Sequence, residues 1–591
     1  MKLDPSASKG NIYRMSFLPK QTYTKNEATI WSIPNYWDIM AIAIIFTFIV
    51  LVAWGAKQML GSYRLGDIIH ISLNPIYLPG YALRTTMRLF IALFFSLVFT
   101  FVFGTLAARN KHAEHIIIPT IDILQSVPVL SFLSIVMTGF IFIFKNSMLG
   151  PECAAIFGIF TSQAWNMTLS FYQGVKTVPK ELKEAANIFH LSAWQKFWKV
   201  EVPFSMPGLL WNMMMSMSGS WFFVIACEAF SVAGQNITLP GVGSYISLAI
   251  AEANSMAVIY AIICMLVVIF LYDQLLFRPL IYWTEKFEES QDDEERARRA
   301  WIISLFQRTK FLRKTTSLLE ELAELWVNFK PFRTKPKAST NKRSTLLVKM
   351  HYLTLATILI FATFIIWDFV LVNISWHEIK YVFTLGLFTG IRVMSLILLS
   401  SLIWLPIGVW IGLRPNLAAA IQPIIQFVAA FPANLLFSVA TMLIVTFNLN
   451  VEIWVSPLMV LGTQWYILFN VIAGTSVLPK ELKLAAANFR VKGLLWWRRI
   501  ILPGIAPYFI TGAITAAGGA WNASIVAEVL KWGTINLHAT GIGNYIDTNF
   551  NSGDLPRLAL GTIIMCLIVL LINRLFWRPL YNIAMRRFDI D

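Results

Sequence analysis

The chain of 591 residues is 57% hydrophobic and only 14% charged, whereas soluble domains average about 45–50% and about 25%. This composition excludes an ordinary soluble protein and indicates an integral membrane protein. The formal charge of +16 does not indicate a nucleic-acid partner, because membrane proteins collect Lys and Arg in cytoplasmic loops and these charges are not interleaved with aromatic residues in one patch.

The chain begins with a polar, proline-dotted segment over residues 1–36. It lacks the short apolar region and small-residue cleavage site of a signal peptide, so we predict a cytoplasmic tail and a retained first span. The four cysteines lie singly in apolar stretches, a pattern that predicts neither a disulfide framework nor a metal site.

Apolar stretches recur along the rest of the chain, each long enough to cross about 30 Å of hydrocarbon as a helix. Helices are expected, because the bilayer core has no water for open backbone groups and the sequence lacks the alternation of a barrel. We therefore predict an all-α membrane protein with about twelve transmembrane helices, kinked or broken at Pro128 and Pro432. The predicted spans are 37–56, 86–108, 116–144, 152–173, 204–231, 256–277, 349–373, 383–413, 421–447, 453–474, 504–532 and 556–577.

The sequence is duplicated. Residues 178–186 read VPKELKEAA, and residues 478–486 read LPKELKLAA, 300 positions later. A repeat of this length indicates two homologous halves of six helices each, which we place at residues 37–284 and 349–591. Corresponding pairs are Trp221 and Trp521, Glu228 and Glu528, and, at an offset of 304, Arg88 and Arg392.

The segment between the halves, residues 285–348, is dense in both charges and has apolar residues near helical spacing. We predict a cytoplasmic linker with one or two amphipathic helices. It is either a solvated connector or a segment that lies against the membrane surface.

The charges of the loops predict how the chain is oriented in the membrane. The loops at 176–199 and 480–499 are rich in Lys and Arg, whereas 232–255 contains neither, so the first two are predicted to be cytoplasmic and the third external. Both termini then lie in the cytoplasm. Three basic residues conflict with this topology because they fall outside, namely Lys57, Arg64 and Arg84.

The two repeated loops carry a spaced signature. Glu184-Ala185-Ala186 is followed by Val200 and Val202-Pro203, and Leu484-Ala485-Ala486 is followed by Ile500 and Leu502-Pro503. This pattern resembles the EAA loop of bacterial ABC-importer permeases, which runs Glu-Ala-Ala, three residues, Gly, nine residues, Ile, one residue, Leu-Pro. The sequence departs from it at His190 and Arg490, which replace the glycine, and at Leu484, which replaces the first glutamate.

The residues of these loops favour a short polar helix. Pro179 suits a first helical turn and Glu181 lies near its positive end, and both residues are repeated 300 positions later. The resemblance implies that helices at 179–190 and 479–490 dock two cytoplasmic ATPase subunits. The predicted docking residues are Lys180, Glu181, Lys183, Glu184, Ala185, Ala186 and His190, with Lys480, Glu481, Lys483, Leu484, Ala485, Ala486 and Arg490.

Further motifs narrow the resemblance. Trp221 and Glu228 precede GVGSYI at 241–246, and their repeats precede GIGNYI at 541–546; we interpret the glycines as tight-turn residues. Together these resemble permeases of the nitrate, sulfonate, taurine and bicarbonate group. The resemblance implies a type I ABC-importer fold in a bacterial inner membrane, an external solute-binding protein and a small, commonly anionic solute. Nitrate, bicarbonate, sulfonates and uncharged nutrients remain open.

The chain has no ATP site of its own, because it lacks Gly-x-x-x-x-Gly-Lys-[Ser/Thr]. We predict a transport subunit that is not an enzyme and binds no cofactor, with ATP and Mg²⁺ on its partners. An ion-coupled secondary transporter and a membrane scaffold are the alternatives, but neither needs two docking helices. Charged residues within spans face a cavity or a partner, so we expect either structural ion pairs or a solute pathway at Arg88, Trp221, Glu228, Arg392, Trp521 and Glu528.

Overall fold

A computed structural model describes residues 36–61, 69–126, 129–232, 235–280, 321–322, 325–328, 357 and 374–588. These residues are almost entirely helical, as the apolar composition predicts. Two short hairpins interrupt the helices, one in each half. The predicted span at 349–373, apart from residue 357, and the N-terminal tail, apart from residue 36, lie outside the described residues.

The first half contains eleven helices and two strands among its described residues. They are α1 (Tyr36–Met59), α2 (Leu78–Phe99), α3 (Thr105–Arg109), α4 (Lys111–Ser126), α5 (Val129–Ile143), α6 (Leu149–Thr177), α7 (Lys180–Ile188), α8 (Ala193–Lys196), α9 (Val202–Glu228), β1 (Ala229–Val232), β2 (Gln235–Thr238), α10 (Val242–Ala251) and α11 (Ser255–Tyr272).

The second half repeats this order from α2 onwards, except that one helix corresponds to α2 and α3 and three helices correspond to α6. Its elements are α12 (Trp376–Gly412), α13 (Pro415–Ala430), α14 (Ala433–Thr446), α15 (Val451–Trp454), α16 (Ser456–Leu461), α17 (Gln464–Ser476), α18 (Lys480–Asn488), α19 (Gly493–Trp496), α20 (Leu502–Ala527), β3 (Val529–Trp532), β4 (Ile535–His538), α21 (Ile542–Ser552), α22 (Leu555–Ile572) and α23 (Arg578–Phe588).

Within the described residues, six helices are long and apolar enough to span a membrane, and two bent pairs raise this number to eight. Ile424–Ala430 and Ala433–Thr446 meet at 71°, and Val451–Leu461 and Gln464–Ser476 meet at 44°. The first bend confirms the break predicted at Pro432, which lies at the N-cap of α14. Pro128 lies outside the described residues.

Two predicted features differ from the structure. The span predicted from residue 86 begins at Pro75, because a short helical turn capped by Asn74 leads into α2. The external loop at 232–255 contains α10 and part of a hairpin, in which Ala229 pairs with Thr238.

Wide helical turns also recur at matching positions. Phe197–Glu201 and Trp497–Ile501 are π-helical, as are Asp273–Phe277 and Asn573–Trp577. Each pair is separated by 300 residues, so the duplication extends to local backbone irregularities. Single π turns inside helices are uncommon and concentrate at functional sites.

The chain forms two compact units. The smaller unit includes residues 173–210 and the described part of 271–338. The larger unit has a core in which α20 packs against α12 and α17. Helix α20 is rich in Ala and Gly, and Gly512 lies so close to Tyr466 O that an added Cβ would approach it to 2.7 Å. Small residues of this kind allow transmembrane helices to pack closely.

Candidate functional site

Two short polar helices occupy the predicted docking segments. α7 begins at Lys180 and α18 at Lys480, each with a glutamate in its first turn. Pro179 and Pro479 occupy the N-cap position, so their predicted place inside the first turn is wrong by one residue. A carboxylate in the first turn interacts favourably with the positive end of the helix.

Both helices end in the same hydrogen-bonded motif. His190 N donates to Asn187 O at 2.9 Å, and Leu191 N donates to Ala186 O at 3.0 Å, and the same two bonds close α18. This is a Schellman motif, which requires a left-handed residue after the helix. His190 and Arg490 adopt φ values of 50° and 53°. The residues that replace the signature glycine therefore keep the left-handed backbone conformation, which glycine would adopt without strain.

One face of α7, and the same face of α18, is exposed, and the opposite face is packed. Ala186 and Ala486 are buried within the chain, on the face of each helix that packs against the chain's own residues. They let the helix approach its own neighbours, while Ala185 and Ala485 are half-buried. The exposed predicted residues are Lys180, Glu181, Lys183, Glu184 and His190, with Glu481, Leu484 and Arg490 in the second half; Lys483 is half-buried.

Exposed aromatic rings complete these surfaces. Phe189 and Phe489 directly follow the two helices and are exposed, as is Ile188. Sequence reasoning missed them because the loop pattern directed attention to its charged and small residues. Exposed apolar side chains beside a polar helix are typical of a protein contact.

A buried charge cluster joins three helices of the first half. From α2, Arg88 donates through Nε and Nη2 to Glu152 of α6 at 2.6 and 2.7 Å, and through Nη1 to Glu228 of α9 at 2.6 Å. All three side chains are buried. Glu228 also accepts a hydrogen bond from Gly243 N at 2.7 Å. The paired, hydrogen-bonded charges hold α2, α6 and α9 together in a fixed geometry.

The second half repeats the cluster in a more open form. Arg392 donates to Glu452 at 2.7 Å and to Glu528 at 3.1 Å. The Arg392 side chain is 14% exposed and that of Glu452 is 45% exposed, whereas Glu528 is buried. Thr389 Oγ1 and Asn544 N also donate to Glu528, at 2.7 and 3.0 Å. The two halves therefore differ mainly in the second carboxylate, because Glu452 is open to water whereas Glu152 is buried.

The carboxylates of Glu152 and Glu452 are missing from the predicted site. They lie 300 residues apart near the beginnings of corresponding helices, and this spacing was the signal that could have identified them.

Close packing explains the glycines that follow Glu228 and Glu528 in the sequence. A Cβ on Gly241 would overlap the Glu228 carboxylate, and a Cβ on Gly243 would overlap the carbonyl of Ile225. Gly541 and Gly543 are crowded in the same way. Gly241 and Gly541 lie at the turns that begin α10 and α21, as predicted, whereas Gly243 and Gly543 lie inside these helices, so the tight-turn interpretation is wrong for the second pair. All four glycines bring the backbone against the buried acid.

A cavity of about 120 Å³ lies between side chains of both halves. Trp521 lines it, whereas Arg88, Glu228, Arg392 and Glu528 are not among its lining residues. No described residue that lines the cavity is charged. Its polar side chains are Gln125, Thr161, Ser162, Asn166, Tyr466, Thr515, Asn522 and Asn573.

Hydrogen bonds link the halves around this cavity. Val129 N, which opens α5, donates to Asn522 Oδ1 at 2.8 Å. Tyr466 donates through its hydroxyl to Met215 O at 3.2 Å. The first amides of a helix have no acceptor within that helix, so side chains commonly bond them. Movement of α20 against α5 would therefore change the cavity directly.

Duplicated membrane halves, each with a short polar helix between long spans, define the class of protein as a two-half membrane permease. The chain belongs to the family described as binding-protein-dependent transport system inner membrane component, whose model matches residues 100–278 and 404–578. The two matches fall at equivalent positions of the two halves. Membership confirms the predicted resemblance and the prediction of a transport component that is not an enzyme.

Individual relatives are distant. The chain is 25% identical over 176 residues to the bicarbonate transport system permease protein of Synechococcus elongatus, and 26% identical over 178 residues to the nitrate import permease protein of Leptolyngbya laminosa; each match covers 30% of this chain and 60% of the relative. It is 23% identical to the putative aliphatic sulfonates transport permease protein of Bacillus subtilis, over 44% of this chain and 85% of the relative. The chain thus spans about 60% of the length of the bicarbonate and nitrate relatives.

Proposed function

We propose that this chain supplies both membrane-spanning halves of an ATP-driven importer of the type I ABC class. Residues 37–284 and 349–591 are the halves, each with six transmembrane helices, and residues 1–36 and 285–348 are the cytoplasmic tail and linker. Both termini lie on the cytoplasmic side of a bacterial inner membrane. The two family matches, one in each half, support this arrangement.

The observation that carries the proposal is the pair of docking helices. Each is an exposed polar helix with an aromatic residue at its end, and each is closed by the same left-handed cap. A rigid helix between two spans can transmit a push from a soluble subunit to the bundle. An ion-coupled carrier would not need two such helices, so we assign them to two cytoplasmic ATPase subunits.

The solute is proposed to be small. The cavity of about 120 Å³ has hydroxyl, amide and aromatic groups on its wall, which can hydrogen-bond a small anion or a neutral solute. The relatives named for bicarbonate, nitrate and sulfonates favour an anion. An external solute-binding protein would deliver it, consistent with the family's description.

Copurification tests the docking assignment. The double variant Ala185→Arg, Ala485→Arg places a long cation on each half-buried docking face, and we expect it to lose an affinity-tagged ATPase subunit while eluting as a folded protein. Ser247→Arg on the exposed part of α10 is the matched control and should retain the ATPase. Retention by the docking variant, together with normal uptake, would show that these helices are not the contact.

A further inference from the structure

The linker contacts the loop that follows the first docking helix. Trp194 Nε1 donates to Trp326 O at 2.9 Å, and the two indole rings lie 5.5 Å apart. Gln195 and Lys199 both donate to Asn328 Oδ1, at 3.4 and 3.3 Å. We call residues 321–322 and 325–328 the linker clasp. The contacts of Trp326 and Asn328 hold the clasp against α8 and the helical turn that follows it.

The clasp is connected to the docking helix itself. Lys196 of α8 donates to Asn187 near the end of α7. Ser192 caps α8 in a reciprocal pair of bonds with Gln195, the same residue that contacts the clasp. The clasp, α8 and α7 therefore form one hydrogen-bonded surface.

The second half cannot build the same surface. Its residues at the positions of Trp194, Gln195 and Asn187 are Leu494, Leu495 and Ala487, whose side chains lack the hydrogen-bonding groups used in the first half. Leu494 is 83% exposed. The clasp thus distinguishes the first docking site from the second.

One side of the clasp is packed and the other is open. Val327 is 5% exposed, whereas Leu322 and Leu325, one helical turn apart, are 60% and 69% exposed. Three glutamates, at positions 320, 321 and 324, surround these leucines in the sequence. Carboxylates are repelled by the anionic inner leaflet, so the open leucines favour a protein partner. Because the clasp is attached to α8, which Lys196 ties to the end of α7, we take that partner to be the one that α7 binds.

We propose that the linker clasp extends the first docking site, so that one ATPase subunit binds α7 and the clasp together while the other binds α18 alone. This inference rests on the proposed docking function. It assigns the exposed Leu322 and Leu325 to the edge of that interface.

Affinity measurements at one isolated site provide the first test. In an Ala485→Arg background, which leaves only the first site, the variant Leu322→Asp, Leu325→Asp should weaken binding of the purified ATPase subunit by about tenfold, a change of the size expected for losing part of an apolar contact. The matched control is Leu494→Asp, Leu495→Asp in the same background, which should leave the affinity unchanged. Equal affinity for the clasp variant and its background overturns the inference.

Photo-crosslinking from position 325 of the full complex provides the second test, and it does not depend on the stability of a charged variant. A benzophenone amino acid there should crosslink to the ATPase subunit, and Trp194→Leu should reduce that product by releasing the clasp. Crosslinking to lipid alone overturns the inference.

The two sets of variants separate failure of the inference from failure of the proposed function. If Ala185→Arg and Ala485→Arg fail to weaken ATPase binding, the proposed function itself is wrong. If they do weaken it but the clasp variants do not, the inference alone fails.

Discussion

Replacing Arg88 with methionine removes the cation that joins two buried carboxylates, and the two halves of the chain offer a built-in comparison. In the first half, Glu152 and Glu228 would both remain buried without their ion pair. Losing one partner of a buried ion pair costs about 3–5 kcal/mol. We expect Arg88→Met to destabilise the protein by an amount in this range.

The matched variant Arg392→Met should cost less. Glu452 is 45% exposed and can be rehydrated, whereas Glu152 is buried. Glu528 keeps its hydrogen bonds from Thr389 and Asn544, as Glu228 keeps the one from Gly243. Losing a hydrogen bond to a charged group costs about 1.5–3 kcal/mol. The predicted difference between the two variants is therefore about 1–2 kcal/mol.

The comparison is made by thermal unfolding of each purified variant in the same detergent, monitored by tryptophan fluorescence. Arg88→Met should have the lower apparent midpoint. Adding Glu152→Gln and Glu228→Gln to Arg88→Met should restore part of the loss, because it removes the unpaired buried charges. Equal midpoints, or a lower midpoint for Arg392→Met, would refute the reasoning from burial.

Three further predictions follow from the docking loops and the glycine positions. His190→Gly and Arg490→Gly should raise stability by up to about 1 kcal/mol each, because glycine adopts the left-handed conformation without strain; unchanged or lower thermal midpoints would contradict this. Gly243→Ala should lower the midpoint by the equivalent of about 1–3 kcal/mol, since the methyl group overlaps the backbone of α9, and a neutral result would show that the helix can move aside. Glu184→Ala should weaken ATPase retention more than Leu484→Ala, because a carboxylate can accept a charge-assisted hydrogen bond from a partner, and equal losses in copurification would contradict that order.

Much of the architecture could be predicted because membrane burial and duplication leave strong patterns. The break at Pro432 could be predicted from its missing backbone donor. The helices α7 and α18 could be predicted from the Pro-Lys-Glu sequence at their beginnings. The hairpins could not be predicted, because the alternation in a four-residue strand is too short to distinguish it from irregular structure. The N-terminal extension of α2 depends on the cap at Asn74, a local signal that hydropathy does not detect.

The charged site was only partly visible in the sequence. Arg88 and Glu228 were identified because charges stand out within apolar spans, and the structure brings them together. Glu152 escaped notice because it lies at the start of α6, where an acidic residue is unremarkable. The contact of Trp194 with Trp326 joins segments 132 residues apart, and no local pattern predicts a contact of that kind.

The central claim, that one chain provides both halves and both docking sites, is tested most directly by the mass of the intact complex. Native mass spectrometry of the chain assembled with its ATPase subunit should give one copy of the chain with two copies of the ATPase. Two copies of the chain bound to two ATPase subunits would contradict the claim, because each chain would then behave as a single permease half.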